Sequence, residues 1–141
     1  SDLESKYYSY VDQLYSTQSS EVLITTFFEK EFIYLRELIY SAPTATICKT
    51  IVGQGEVIST NMMNVYLLEK GVDVAFVPAL DFMVIDENDE PVLDDIRVKL
   101  KSVINDHGNH QIYLTQGFIC KGYNGEFDNL QSSAGIRLSY P

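Results

Sequence analysis

The sequence predicts an α/β fold. Two observations carry this. From Glu56 to Ile119 the apolar periodicity alternates helix, strand, helix, strand, the order that builds βαβ units and a parallel sheet. Residues 2–41 show only the helical period, so a helical region precedes that α/β part. Gly117 stands at the predicted C-terminal end of a strand, which is where parallel sheets bind ligands.

Taken in order, Leu3, Tyr7, Tyr10, Val11 and Leu14 form one helical stripe. Residues 16–20 (Ser-Thr-Gln-Ser-Ser) break it and offer an N-cap. A second stripe follows in Leu23, Phe27, Phe28, Phe32, Leu35, Leu38 and Ile39, and Pro43 ends it. The pair reads as an αα-hairpin whose Tyr and Phe residues are core and packing surface. Residues 44–53 read as helical. Glu56 to Lys70 reads as a mostly buried helix with Gly71 as its C′ residue.

Val72 to Leu80 reads as a strand. Residues 86–91 (Asp-Glu-Asn-Asp-Glu-Pro) lack the Gly and the later Glu of an EF-hand and read as a solvated loop. Pro91 opens the next helix, whose buried face is Val92, Ile96, Leu100, Val103 and Ile104. Asn105 to Asn109 is a turn, Gln111 to Ile119 a second strand, and Gly122 to Gly125 a turn closing a hairpin onto Phe127.

The 141 residues suffice for one domain with a real core, and the 45% hydrophobic and 21% charged content is that of a globular protein. A net charge of −10 repels phosphate backbones, so nucleic acid is not an expected partner. It does not exclude ATP, which binds through backbone N–H groups, local cations and Mg²⁺. No apolar run reaches the roughly 20 residues that span a bilayer, and no signal peptide is visible, so no membrane is expected and the expected location is cytoplasmic. Cys48 and Cys120 read as two reduced, partly buried thiols. A chain that begins at Ser1 fits a fragment, a processed product or a trimmed sequence.

Two segments carry chemical information: Gly53-Gln54-Gly55-Glu56-Val57-Ile58-Ser59-Thr60 and Thr115-Gln116-Gly117-Phe118-Ile119. Gly55, Glu56 and Ser59 form a Gly-Glu-x-x-Ser segment at the expected start of a helix. Residues 67–74 (Leu-Leu-Glu-Lys-Gly-Val-Asp-Val) supply a helix end and a strand, and Gly125 and Leu130 follow the second segment. In this order the segments resemble the middle of the aspartate kinase catalytic domain, in the amino-acid kinase family. The match runs from about Gly53 to Gln131; the preceding helices are similar to that family's insertion in character only.

The resemblance implies part of an αβα sandwich with a mainly parallel sheet (amino-acid kinase or carbamate kinase-like), preceded by a helical insertion. It divides the chain into a helical segment 1–52, an α/β core segment 53–131, and an atypical tail 132–141. The implied reaction is phosphoryl transfer from ATP, with Mg²⁺, to the β-carboxylate of L-aspartate, giving 4-phospho-L-aspartate. Glu56 would then receive the substrate ammonium as a charge-assisted hydrogen bond. Gly117 would let backbone N–H groups approach phosphate or carboxylate. Ser59 would support the site or bond locally. Read without the resemblance, Glu56 serves the helix dipole and Gly117 is a strand-end turn. The intact parent would be a homo-oligomer.

The sequence also departs from the family. No Lys-Phe-Gly-Gly-Thr-Ser strand is present, and residues 132–141 replace the expected Arg-Gly-Gly-Ser-Asp. Arg137 is displaced from the family's Arg position. A one-base shift of suitable codons for Ala134 to Ser139 reads Arg-Gly-Ser-Asp-Tyr, which points to a frameshift in the tail. Without its cations, a phosphoryl-transfer site loses its charge stabilisation, so this chain by itself is expected to be inactive. The competing reading is a non-catalytic acidic α/β module that binds a small amino acid or a protein partner; a relative acting on another acid is the third.

Overall fold

In the computed structural model, residues 2–130 are described. Three long helices come first: α1 (Asp2–Leu14), α2 (Gln18–Tyr40) and α3 (Ala45–Glu69). Thr17 caps α2 by accepting from Ser20 N at 3.3 Å, and Thr44 caps α3 by accepting from Ile47 N at 3.1 Å. The short links make α2 fold back on α1, and α3 on α2. Between them lies a core of Val11, Tyr15, Ile24, Phe28, Phe32 and Ile58. Phe28 is its hub, with ring centroids 5.5 Å from Tyr8 and 5.8 Å from Tyr7 in edge-on contacts. The Tyr15 hydroxyl donates to Met62 O at 2.8 Å, tying the end of α1 to α3. Leu3, Leu23 and Ile39, expected on the buried stripes, lie outward on their helices and are exposed.

The segments read separately as residues 44–53 and 56–70 are one continuous helix. Gly53 and Gly55 therefore lie inside α3 and do not open it. Backbone hydrogen bonds persist through them because neither glycine takes a positive φ. The expected end is correct: Gly71 sits at φ 72°, with its N–H donating to Leu68 O and that of Val72 to Leu67 O, both at 3.0 Å. This is a Schellman motif.

The strands are shorter than the sequence suggested. β1 (Val74–Phe76) ends where Ala79–Asp81 forms a 3-10 turn. The stretch read as one strand from Gln111 to Ile119 is β2 (Ile112–Leu114), a loop, and β3 (Ile119–Lys121). β1 and β2 pair in parallel, Ala75 opposite Tyr113. β3 pairs antiparallel with β4 (Phe127–Asn129), Cys120 opposite Asp128. The fold is thus mixed α/β with a small parallel sheet, and β3 and β4 form a separate hairpin.

The hairpin turn at Gly122 to Gly125 is as expected, with Gly125 at φ 79°. Between the parallel strands runs α4 (Leu93–His107), which begins two residues after Pro91. Pro91 instead bridges to Ile85. Gly108, at φ 81°, ends α4, so the expected turn at Asn105 starts later. Among the described residues, no helix is long and apolar enough to cross a membrane.

Candidate functional site

α3 presents Thr46, Lys49, Gly53 and Glu56 at helical spacing along the face that meets the hairpin and the β2–β3 loop. Thr46 Oγ1 donates to Glu126 Oε2 at 2.8 Å. Lys49 Nζ lies 2.6 Å from Asp128 Oδ1, and Asn129 Nδ2 donates to Lys49 O at 3.1 Å. The hydrogen bond to Asp128 raises the Lys49 pKa against the opposing effect of desolvation. At Gly53 the hairpin comes closest: a Cβ there would meet Phe127 Cζ at 2.4 Å and Ile119 Cγ2 at 2.8 Å. Gly53 is a close-approach glycine, which accounts for part of the Gly-bearing signal in the sequence.

The next position along this face brings two sequence-predicted site residues together. A Cβ on Gly117 would lie 4.0 Å from Glu56 Oε2. Glu56 is mid-helix, so the helix-dipole reading does not apply to it. Among the described residues its carboxylate has no hydrogen bond or ion pair. Gly117 lies in a loop and not at a strand end, three residues beyond Leu114, the last residue of β2.

Phe118 closes that loop in an uncommon way. Its φ is 63°, and Ile119 N donates back to Gly117 O at 2.7 Å. A bulky residue in this left-handed region is a strained outlier, a feature that concentrates at functional sites. Leu130 N holds Phe118 O at 2.7 Å. The N–H groups of Gly117 and Phe118 have no hydrogen-bond acceptor among the described residues. A free carboxylate beside two free N–H groups can take an ammonium on one side and an anionic oxygen on the other.

Ser59 is not at this corner. Its hydroxyl donates to Glu56 O at 3.2 Å, and it lines a nearly apolar groove with Leu14, Met62, Met63 and Tyr66. Of its two expected roles, the local bond is what the structure shows.

Three further arrangements were not read from the sequence. Gln116, 8% exposed, accepts from Ala79 N at 2.8 Å and fastens the β2–β3 loop to the turn after β1. At the other end of the strands, His110 Nδ1 lies 2.7 Å from Asp73 Oδ1, and Gln111 N donates to Asp73 Oδ2. These bonds, the His110 one foremost, hold the Asp73 carboxyl below its usual range. The only signal was two polar residues just outside strand ends. In the third, Asp86 Oδ1 closes its own acidic loop by accepting from Asn88 N at 2.8 Å and Glu90 N at 3.0 Å. No group of three or more His, Cys, Asp or Glu among the described residues is arranged to hold a metal. Cys120 is buried as expected, but Cys48 is exposed on α3. The tail 132–141, with its frameshift reading and Arg137, lies outside the described residues.

Solved structures share the fold. E. coli aspartokinase III in complex with aspartate and ADP (R-state) superposes with a TM-score of 0.66 and 18% identity, over 88% of this chain and 28% of that one. The fold is aspartokinase-like. The same enzyme in complex with lysine and aspartate (T-state) gives 0.68 and 17%, with the same coverage. No sequence-family model matches the chain, and no curated protein does. The chain spans 28% of the length of these aspartokinase chains.

Proposed function

We propose that this chain is a segment of an aspartate kinase catalytic domain, in which Glu56 receives the ammonium of L-aspartate and the Gly117 loop faces its anionic end. The single observation that carries this is the Glu56 carboxylate, unpaired among the described residues, beside Gly117; these are two of the three residues that the resemblance nominates. The aspartokinase-like fold supports it. In this reading residues 53–131 are the kinase-type core of an αβα sandwich, residues 1–52 its helical insertion, and the intact parent is a homo-oligomer that uses ATP and Mg²⁺.

The residues described do not fit Mg-ATP. No metal-holding cluster is present among them, and no described cation pairs with Glu56. What this chain does is bind and orient the amino acid; it forms no aspartyl phosphate by itself.

The test is an amide NMR titration with L-aspartate, and with succinate, which lacks the ammonium. Saturable shifts at Gly117 and Phe118 are expected with aspartate alone, and Glu56→Gln weakens them at least tenfold. No shift at either residue refutes the substrate-site reading. In parallel, hydroxylamine trapping with Mg-ATP is expected to give no product above a no-enzyme control; turnover that Glu56→Ala abolishes refutes the inactivity.

A second reading, a non-catalytic acidic α/β module binding a small amino acid or a protein partner, is favoured by the same lack of cations around Glu56. Aspartate binding that ATP leaves unchanged supports it.

A further inference from the structure

Gln116 and Gly117 are neighbours on one loop, but they serve different surfaces. Gly117 faces Glu56. Gln116 lines a cleft of about 310 Å³ between α4 and the C-terminal ends of β1 and β2. Val77, Phe82, Leu100 and Ile104 make its walls mostly apolar. α4 has no fully buried residue, so Leu100 and Ile104 cover the sheet without filling the space beneath them.

The polar groups of this cleft are few and their bonding is uneven. The Tyr113 hydroxyl is spent on Gly108 O. The Gln116 amide is oriented by Ala79: only its oxygen can accept the Ala79 N–H, so the NH₂ must point the other way. That NH₂ has no hydrogen-bond acceptor among the described residues, although the residue is more than nine-tenths buried. The Thr115 hydroxyl, beside it on the exposed rim, also has none. The Gln116 NH₂ thus opens into a mostly apolar cleft with no acceptor from the described residues, and water or a ligand is what can answer it there.

We propose that this cleft is a binding site, separate from the Glu56 corner, for a small uncharged molecule with an apolar body and one carbonyl-type acceptor. The carbonyl oxygen accepts from Gln116 Nε2, and the apolar body lies against Leu100 and Ile104. The lining holds no cation, so an ionised carboxylate there would be buried unpaired, and the acceptor must be neutral. Size and character match ordinary small-molecule sites, and the place beyond the ends of parallel strands is where such sites form.

The experiment is an amide and side-chain NMR titration of the whole chain with acetophenone, ethylbenzene and benzoate. Acetophenone is expected to shift the Gln116 NH₂ and the Val77 and Ile104 amides saturably. It should bind about fivefold more tightly than ethylbenzene, the ratio one net hydrogen bond supplies, and benzoate should not bind. Gln116→Met removes that preference. Because the substitution also deprives Ala79 of its acceptor, Leu100→Phe serves as the second variant: it fills the cleft and abolishes binding while the fold is kept. No saturable shift with acetophenone, equal affinity for ethylbenzene in the unaltered chain, or unchanged binding in Leu100→Phe overturns the proposal. The Glu56→Gln variant is expected to bind acetophenone normally, which keeps this test independent of the aspartate one.

Discussion

Gly53 and Phe127 are in contact to the point of excluding any side chain at position 53: the ring Cζ lies 2.4 Å from where a Cβ would be. This contact seats the β3–β4 hairpin on α3. The first prediction compares two glycines of the same helix. Gly53→Ala forces Phe127 or the helix to move and is expected to destabilise by about 1–3 kcal/mol, the usual cost of overpacking. Gly55→Ala meets no atom within 4 Å and is expected to stabilise by about 0.5–1 kcal/mol through helix propensity. Urea denaturation of both variants checks the opposite signs.

Glu69, at the end of α3, accepts from Ser16 N at 3.0 Å and from Thr17 N at 3.1 Å, and so holds the start of α2. Desolvation is the largest single influence and raises its pKa, but the hydrogen bonds from Ser16, Ser20 and Thr17 together outweigh it and bring the value down to about 2, from 4.5. The folded state therefore binds the proton less well than the unfolded chain. The stabilisation is present above pH 4.5 and is lost as pH falls toward 2. Glu69→Gln is expected to lower Tm at neutral pH and to flatten the decline of Tm between those limits.

Glu31 shows the reverse sign. It is 9% exposed in α2, and its Oε1 has no hydrogen-bond partner among the described residues. Burial raises its pKa, so the folded state binds the proton better, and stability falls as pH rises from 4.5 through the raised value. Glu31→Leu is expected to stabilise at pH 7 by about 1–3 kcal/mol, the cost of an unsatisfied buried polar group. Chemical denaturation at pH 4 and pH 7 measures it, and the gain should shrink at the lower pH.

The two cysteines should separate by reactivity. Cys120 is buried, and burial foremost, with the Asp128 charge, pushes its thiol up to about 11; Cys48 is exposed. Labelling with an aromatic disulfide reagent at neutral pH is expected to modify one thiol quickly and the second only on unfolding.

Regular periodicity made much of the fold legible. The α2 core residues Phe28 and Phe32, the Gly71 cap and the Gly122 to Gly125 hairpin turn could be read because each depends on neighbours close in sequence. The merging of residues 44–53 and 56–70 into α3 could not. A glycine pair normally signals a break, and what Gly53 accommodates is Phe127, distant in sequence. The division of the Gln111 to Ile119 strand was hidden for a related reason. The apolar run is continuous, but the positive φ of Phe118 and the bond from Ala79 N–H to the Gln116 oxygen turn the chain between two sheets. At the candidate site, Glu56 and Gly117 were legible through a resemblance of motifs. The burial of Gln116 and the outward position of Ser59 depend on tertiary packing that no local pattern encodes.

α3 runs unbroken from Ala45 to Glu69, and at about 100° of rotation per residue such a rod fixes angular phase as well as position. Glu56 is held in phase from both sides, by the Phe127 contact at Gly53 and by the Tyr15 bond to Met62. Deleting Gly55, which lies between Gly53 and Glu56, would remove no side chain. It would still turn the carboxylate by a quarter of a revolution or more, away from Gly117. The length of this helix is thus as much a part of the candidate site as the glutamate is.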